Sequence, residues 1–317
     1  MNELMSNILN ISSNYYRYLI TLENVIGVGL GYKWINGINT FEPCIHVLVN
    51  KKIDNKYLCK NNIIPNKYMG IITDVINVGN FSSLSNDSIP YKLRPLESGC
   101  AIGINNFGGT LGCIVTKIID EEKHYYILSN NHVIADLNNA SIGSKIIQPN
   151  FENRGNEEND GVAYLSNFIP LKFMDLEETD DENQPINYAD CAIAEIFDES
   201  LVSNMIFAER RITGVSSPVL DLSIKKVGYV TGLTRGKITT IGTTIESPFS
   251  DGHVALFKNQ ILANLKSDHG DSGSVILNDD NEVLGLLFSG SFEQGITGFT
   301  DINVVLKQLK VEIYADK

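Results

Sequence analysis

Gly270-Asp271-Ser272-Gly273-Ser274 seats a serine in a glycine-lined turn, the local setting of an acyl-transfer nucleophile. Gly270 and Gly273 allow a tight backbone that points the Ser272 hydroxyl outward. The same turn aims the N–H groups of Gly270 and Ser272 at one point, as an oxyanion hole requires. A serine hydroxyl needs a base, and Leu128-Ser129-Asn130-Asn131-His132-Val133-Ile134 supplies His132 where a strand passes into a short helix. The base needs an orienter. Asp190 opens the apolar run Cys191–Ile196, so it is expected to be buried and to accept from the imidazole Nδ1. Each residue also has a plain reading: a hairpin turn for Ser272, a core or surface histidine for His132, a strand-edge turn residue for Asp190. The order His, Asp, Ser, with 140 residues from His132 to Ser272, favours catalysis over all three.

The rival residues fit less well. His46 alternates in a strand, His124 and His253 sit in polar turns, and His269 lies three residues before the serine. Asp136 shares the turn of His132, and Asp160 belongs to an acidic loop. Cys191 follows the orienting acid and is expected to face away from it. Neither His-Glu-x-x-His nor paired Cys-x-x-Cys occurs, so no metal and no cofactor is expected. Gly27, Gly29 and Gly31 have the wrong spacing for a dinucleotide fingerprint and read as close strand packing.

These side chains need a scaffold. Residues 1–90 read as a helix followed by a small α/β module, with strands at Asn24–Tyr32, Cys44–Asn50 and Met69–Val78 and a short helix around Asp54–Lys60. The stretch Gly79–Ser88 has linker composition. From residue 91 to 317 the pattern is short strands between Gly, Asn and Asp turns, in two series of six. That predicts a mainly β chain with one barrel over about 96–200, a second over about 215–301, and a helix at 302–312.

A net charge of −13 disfavours nucleic acid and anionic membranes, which call for a basic face. No stretch reaches the length of a membrane span, and Met1–Leu22 reads as an amphipathic helix rather than a signal peptide. Five cysteines, an odd number, without a secretion signal predict reduced thiols in a cytoplasmic protein.

The three segments around His132, Asp190 and Ser272 resemble those of the chymotrypsin/trypsin-like serine proteases over about Ser98–Leu309. The resemblance implies a double β-barrel with the triad in the crevice between barrels. It also implies that Leu287-Phe288-Ser289-Gly290 is the edge strand that pairs with substrate backbone. Val230–Ile238 is similar to the opening of the second barrel in bacterial members, and Val25–Lys33 is similar to the N-terminal module of bacterial peptidases related to plant narrow-leaf-type proteases. Ser274 departs from the glycine common at that place in animal enzymes.

The resulting expectation is a serine endopeptidase acting on polypeptide, bacterial in type. The alternatives are a silent protease-fold peptide-binding module and an esterase. The N-terminal domain is left as the place for a protein partner. In this architecture the specificity pocket has its floor six residues before the nucleophile, here Lys266, with Ser267 and His269 nearby and Ser289 and Gly290 as wall. A buried Lys266 ammonium would favour an acidic side chain; a solvent-facing one would leave a neutral pocket. Asp271 needs a cationic partner, and the bacterial pattern points to Lys226, with Arg94 and Arg235 as rivals.

Overall fold

Apolar residues at every second position, broken by Gly, Asn and Asp turns, condense, among the described residues, into one twelve-stranded and one eight-stranded sheet. The structure, a computed structural model, describes residues 3–79, 92–105, 107–175 and 184–315. The linker-like stretch after Gly79 therefore lies outside the described residues, apart from Gly79 itself. No helix among those described is long and apolar enough to cross a membrane.

The N-terminal module comprises α1 (Glu3–Asn14), α2 (Arg17–Ile20), β1 (Val25–Ile35), β2 (Ile38–Val49), β3 (Lys67–Tyr68) and β4 (Ile71–Asn77). Instead of the helix expected around Asp54–Lys60 there are two single 3-10 turns, Asn55–Tyr57 and Lys60–Asn62. So short a polar segment cannot offset the cost of nucleating an α-helix. The apolar face of α1, through Ile8 and Ile11, packs with Val28, Leu30, Ile45 and Val47 of β1 and β2.

The first barrel contains β5 (Ala101–Ile104), β6 (Phe107–Thr110), β7 (Cys113–Ile119), β8 (Glu122–Ser129), α3 (Asn131–Ile134), β9 (Lys145–Ile147) and β10 (Gly161–Phe168). After β11 (Ile186–Asn187), which pairs with the other sheet, the chain returns as β12 (Ala192–Ile196) between β8 and β10. Ile102, Ile114, Ile127, Ile146 and Val162 fill this barrel.

The second barrel follows β13 (Gly214–Val215) and comprises β14 (Ser223–Gly228), β15 (Gly232–Pro248), β16 (Val254–Ala263), β17 (Val275–Leu277), β18 (Glu282–Ser291) and β19 (Ile296–Asp301). β15 pairs with both β14 and β16, which closes the ring through β19, β18 and β17. Ile224, Ile238, Ile261, Leu287 and Phe299 fill it. The N-terminal module is continuous with this barrel: β1 pairs antiparallel with β15, Gly27 opposite Ile245 and Gly31 opposite Thr240. Ser12 Oγ of α1 donates to the Gly242 carbonyl at 3.0 Å, and Thr244 Oγ1 donates to the Ser12 carbonyl at 2.9 Å.

The C-terminal helix α4 (Ile302–Leu309) sets Ile302, Val305 and Leu309 into the apolar layer between the barrels, against Cys113, Leu128, Val275 and Leu286. It stops short of residue 312 because Lys310 turns left-handed at φ 58°. The next residues form β20 (Glu312–Ile313), which pairs with β7 and ends the sheet of the first barrel.

Candidate active site

His132 lies in α3, just past the end of β8, and two asparagines before it shape the turn. Asn130 Nδ2 donates to the Asp190 carbonyl at 2.7 Å. Asn131 Nδ2 donates to Asn138 Oδ1 at 2.8 Å and to the Ile169 carbonyl at 2.9 Å. These bonds tie the start of α3 to the segment leading into β12, so Asp190 and His132 arrive side by side. Asp190 Oδ2 lies 2.5 Å from His132 Nδ1, and Oδ1 accepts from the His132 backbone N–H at 3.3 Å. The Asp190 side chain is wholly buried, whereas that of His132 retains 12% exposure. An anion without solvent holds the imidazole with its Nδ1 proton inward and leaves Nε2 facing the crevice. The rival acid Asp160 is engaged elsewhere, by Lys92 at 2.6 Å.

Ser272 sits in the loop between β16 and β17, only 3% exposed, where the two barrels meet. Gly270 and Gly273 have φ of 98° and 92°, a left-handed backbone that side-chain-bearing residues avoid. The N–H groups of Gly270 and Ser272 donate to no carbonyl among the described residues, which leaves them free for an oxyanion. No hydrogen bond joins Ser272 Oγ to His132 Nε2 among the described residues. Such bonds commonly tighten only when substrate is bound.

The register between His132 and Ser272 comes from β6, a strand the sequence pattern does not reveal. Thr110 N–H donates to the Ser272 carbonyl at 2.8 Å, Thr110 Oγ1 donates to the Gly270 carbonyl at 2.8 Å, and the Thr110 carbonyl accepts from Ser129 Oγ at 2.9 Å. One residue thus links the loop of Ser272 to β8, the strand that leads into His132. Gly109 lets β6 pass between them, since a Cβ there would lie 2.5 Å from Val133 and 2.8 Å from the Ser272 carbonyl. The pair Gly108-Gly109 was the available signal, but in sequence it reads as a turn.

Asp271 points away from the crevice. Lys226 Nζ pairs with its Oδ2 at 3.0 Å, both side chains being fully buried. Oδ1 accepts from the Val230 and Thr231 N–H groups, each at 3.1 Å, and Oδ2 from Thr231 Oγ1 at 2.6 Å and the Asp268 N–H at 3.0 Å. Burial pulls the Lys226 ammonium below the ordinary lysine pKa, and Asp271 opposes that shift. The rivals go elsewhere: Arg94 to Gln148, and Arg235 to Glu209 and Asp279.

Of the two readings of Lys266, the buried ammonium at the pocket floor is corrected and the solvent-facing side chain is the one found. Lys266 is exposed, its Nζ 4.7 Å from the Phe292 ring centroid. Alternate residues of an extended segment face opposite ways, so Leu265 and Ser267 turn inward and Lys266 outward. Ser267 Oγ lies 2.7 Å from Thr297 Oγ1 and against Gly290, where a Cβ would approach it to 2.8 Å. Ser289 Oγ accepts from Ser247 Oγ at 3.2 Å. His269 has its pKa held down at about 3, by burial first and then by His132, so its ring is neutral. Phe249, 5.8 Å from His132 between ring centroids, and Phe173 beyond it add an aromatic flank.

Two further groups of reactive side chains are occupied. Burial and Asp190 raise the Cys191 thiol well above its usual pKa, which keeps it protonated. Ligand atoms of Cys44, His46 and Asp74 lie within 4.8 Å of one another in the N-terminal module. His46 already bonds Thr240 Oγ1 at 2.8 Å and the Tyr32 carbonyl at 2.9 Å, and Asp74 holds Lys33 at 3.1 Å and the Trp34 N–H at 2.8 Å. The imidazole fits because a Cβ at Gly31 would come within 2.0 Å of its ring, as close strand packing predicts.

Residues 3–78 match the NARROW LEAF 1 N-terminal domain family. No curated protein sequence matches the chain. Among solved structures, Protease A of Thermobifida fusca is similar at 15% identity and a TM-score of 0.50, over 69% of this chain and 98% of that one. Cellulomonas bogoriensis chymotrypsin (15%, TM-score 0.46) and the Nocardiopsis protease (14%, TM-score 0.48) are each similar over 69% of this chain and 98% of theirs. The chain has the fold of the bacterial chymotrypsin-like serine proteases, preceded by an N-terminal module of the narrow-leaf type.

Proposed function

We propose that the chain is a serine endopeptidase. The carrying observation is the 2.5 Å contact of His132 Nδ1 with a fully buried Asp190, beside a serine whose loop leaves two amide donors free. In this reading His132 Nε2 takes the Ser272 Oγ proton as the oxygen adds to a peptide carbonyl, and the Gly270 and Ser272 amides hold the oxyanion. The imidazolium returns the proton to the leaving amine. Water then repeats the sequence on the acyl-enzyme. Asp190 stays ionised and orients the ring.

Peptide is the favoured substrate because β18 outlasts its neighbour. β17 pairs with it only as far as Leu286, and the Gly273 N–H donates to the Leu287 carbonyl. From Phe288 to Ser291 one edge then has no strand partner among the described residues, while β19 fills the other. An extended substrate can add there. Its leading side chain would meet Ser267, Ser289, Gly290, Thr297 and neutral His269, which favours small or uncharged residues over acidic ones.

A fluorophosphonate label on the full chain tests the nucleophile, with Ser272→Ala as blank and peptide-library cleavage read by mass spectrometry as the activity. Label on Ser272 with peptide cleavage is expected. Label with ester hydrolysis alone would make the chain an esterase, and a chain that takes no label would be a binding module.

A further inference from the structure

A groove of about 720 Å³ lies away from the crevice, between α4, β20 and the β7–β8 hairpin. Lys117, Lys123, Lys307 and Lys310 line it, against the single carboxylate of Glu312. In a chain of net charge −13 that is a local reversal of sign. All four lysines are exposed, and among the described residues none of them forms an ion pair. Lys123 instead lies over the rings of Tyr125 and Tyr314, at 5.6 and 5.1 Å.

The groove is more than a basic surface. Ile118, Leu306 and Val311 give it apolar lining, and Ile118 is 66% exposed. β20 is the last strand of the sheet at this side: it pairs with β7 through Glu312 and Ile313, and its other edge has no strand neighbour among the described residues. Free strand edge, apolar lining and unpaired ammonium groups together match an extended peptide. Backbone groups of such a peptide would bond the edge, alternate side chains would reach the apolar lining, and carboxylates between them would meet the lysines. A compact phosphate ligand uses the charge but neither the edge nor the lining.

We propose that this groove is a docking site for an extended acidic segment of another polypeptide, separate from the crevice that holds His132 and Ser272. Its recognition is independent of catalysis, so it stands or falls apart from the peptidase reading.

The test uses the full chain carrying Ser272→Ala, so that the probe survives, and a fluorescein-labelled peptide alternating Glu or Asp with Val and Leu. Anisotropy should show saturable binding that weakens steeply as sodium chloride rises. The double substitution Lys307→Glu, Lys310→Glu should weaken it by about tenfold or more. A Gln-for-Glu version of the peptide should weaken by a similar factor. Absence of saturable binding at low salt, or equal binding by the charge-reversed protein, would overturn the proposal. Tripolyphosphate displacing the peptide as well as an unlabelled copy of equal charge would also overturn it, by showing that the groove reads phosphate charge rather than a chain.

Discussion

Lys226 and Asp271 form an ion pair at 3.0 Å from which solvent is wholly excluded, one residue before the candidate nucleophile. Removing one partner of such a pair strands a buried charge, at a cost on the order of 3–5 kcal/mol. Thr231 and the Val230 and Asp268 amides still hold Asp271, which places Lys226→Met at the lower end of that range. Turnover should fall further than stability implies, because the Asp271 backbone lies between the two amides proposed to hold the oxyanion. Lys226→Met combined with Asp271→Asn should recover stability without recovering turnover. Thermal melts and peptide hydrolysis check this; a fully active Lys226→Met protein would refute it.

Tyr229 supports the other side of the same loop. A Cβ on Gly270 would lie 2.5 Å from the Tyr229 ring, and the Tyr229 hydroxyl donates to Glu152 Oε2 at 3.1 Å. Tyr229→Phe keeps the ring and should lose about 1 kcal/mol of stability with activity near wild type. Tyr229→Ala leaves a void under Gly270 and should lower kcat by about tenfold or more with KM little changed. An unchanged kcat in the alanine variant would show that the loop holds its shape unaided.

The three side chains proposed as a triad should act as one unit. Ser272→Ala, His132→Ala and Asp190→Ala are each expected to reduce turnover by several orders of magnitude, with double substitutions adding little. Independent, multiplicative losses measured by steady-state kinetics would contradict the assignment.

His269 makes stability sensitive to acid. Its folded pKa of about 3 lies below the unfolded value of 6.5, so between those values the unfolded chain binds a proton that the folded chain does not. Stability should therefore fall as pH drops from 6.5 toward about 3, by at most about 1.4 kcal/mol per pH unit from this group. His269→Gln should flatten that slope in urea melts taken across the window. His46, buried and also shifted downward, keeps its own share in both proteins. An identical slope in the variant would remove His269 from the account.

Of the five free cysteines only Cys59 is exposed. A thiol reagent should titrate one group in the native protein and five after unfolding. Fast reaction of a second native thiol would show one of the buried sites opening.

Short-range patterns carried the parts of this protein that depend on neighbouring residues. Gly270 and Gly273 specify a left-handed turn wherever it lies, and alternating apolar residues specify strands, so the turn around Ser272, most strands of both series and the longer N-terminal strands were legible in the sequence. The chain order of His132, Asp190 and Ser272 was legible too. The meetings of Asp190 with His132 and of Lys226 with Asp271 were anticipated by the resemblance, whereas the other contacts around the site were decided by tertiary structure alone. Lys266 faces outward because barrel closure sets which member of an extended pair is interior, and no local pattern fixes that choice. β6 is a strand because Gly108 and Gly109 let it pass against Asn150, Val133 and the Ser272 carbonyl, contacts that exist only once both barrels have formed. The pairing of β1 with β15 joins residues more than two hundred positions apart, and its register follows from packing the α1 face over both strands. A turn is determined by the few dihedrals it contains, whereas a contact between distant segments is determined by the whole set of packed surfaces that leaves them no other place.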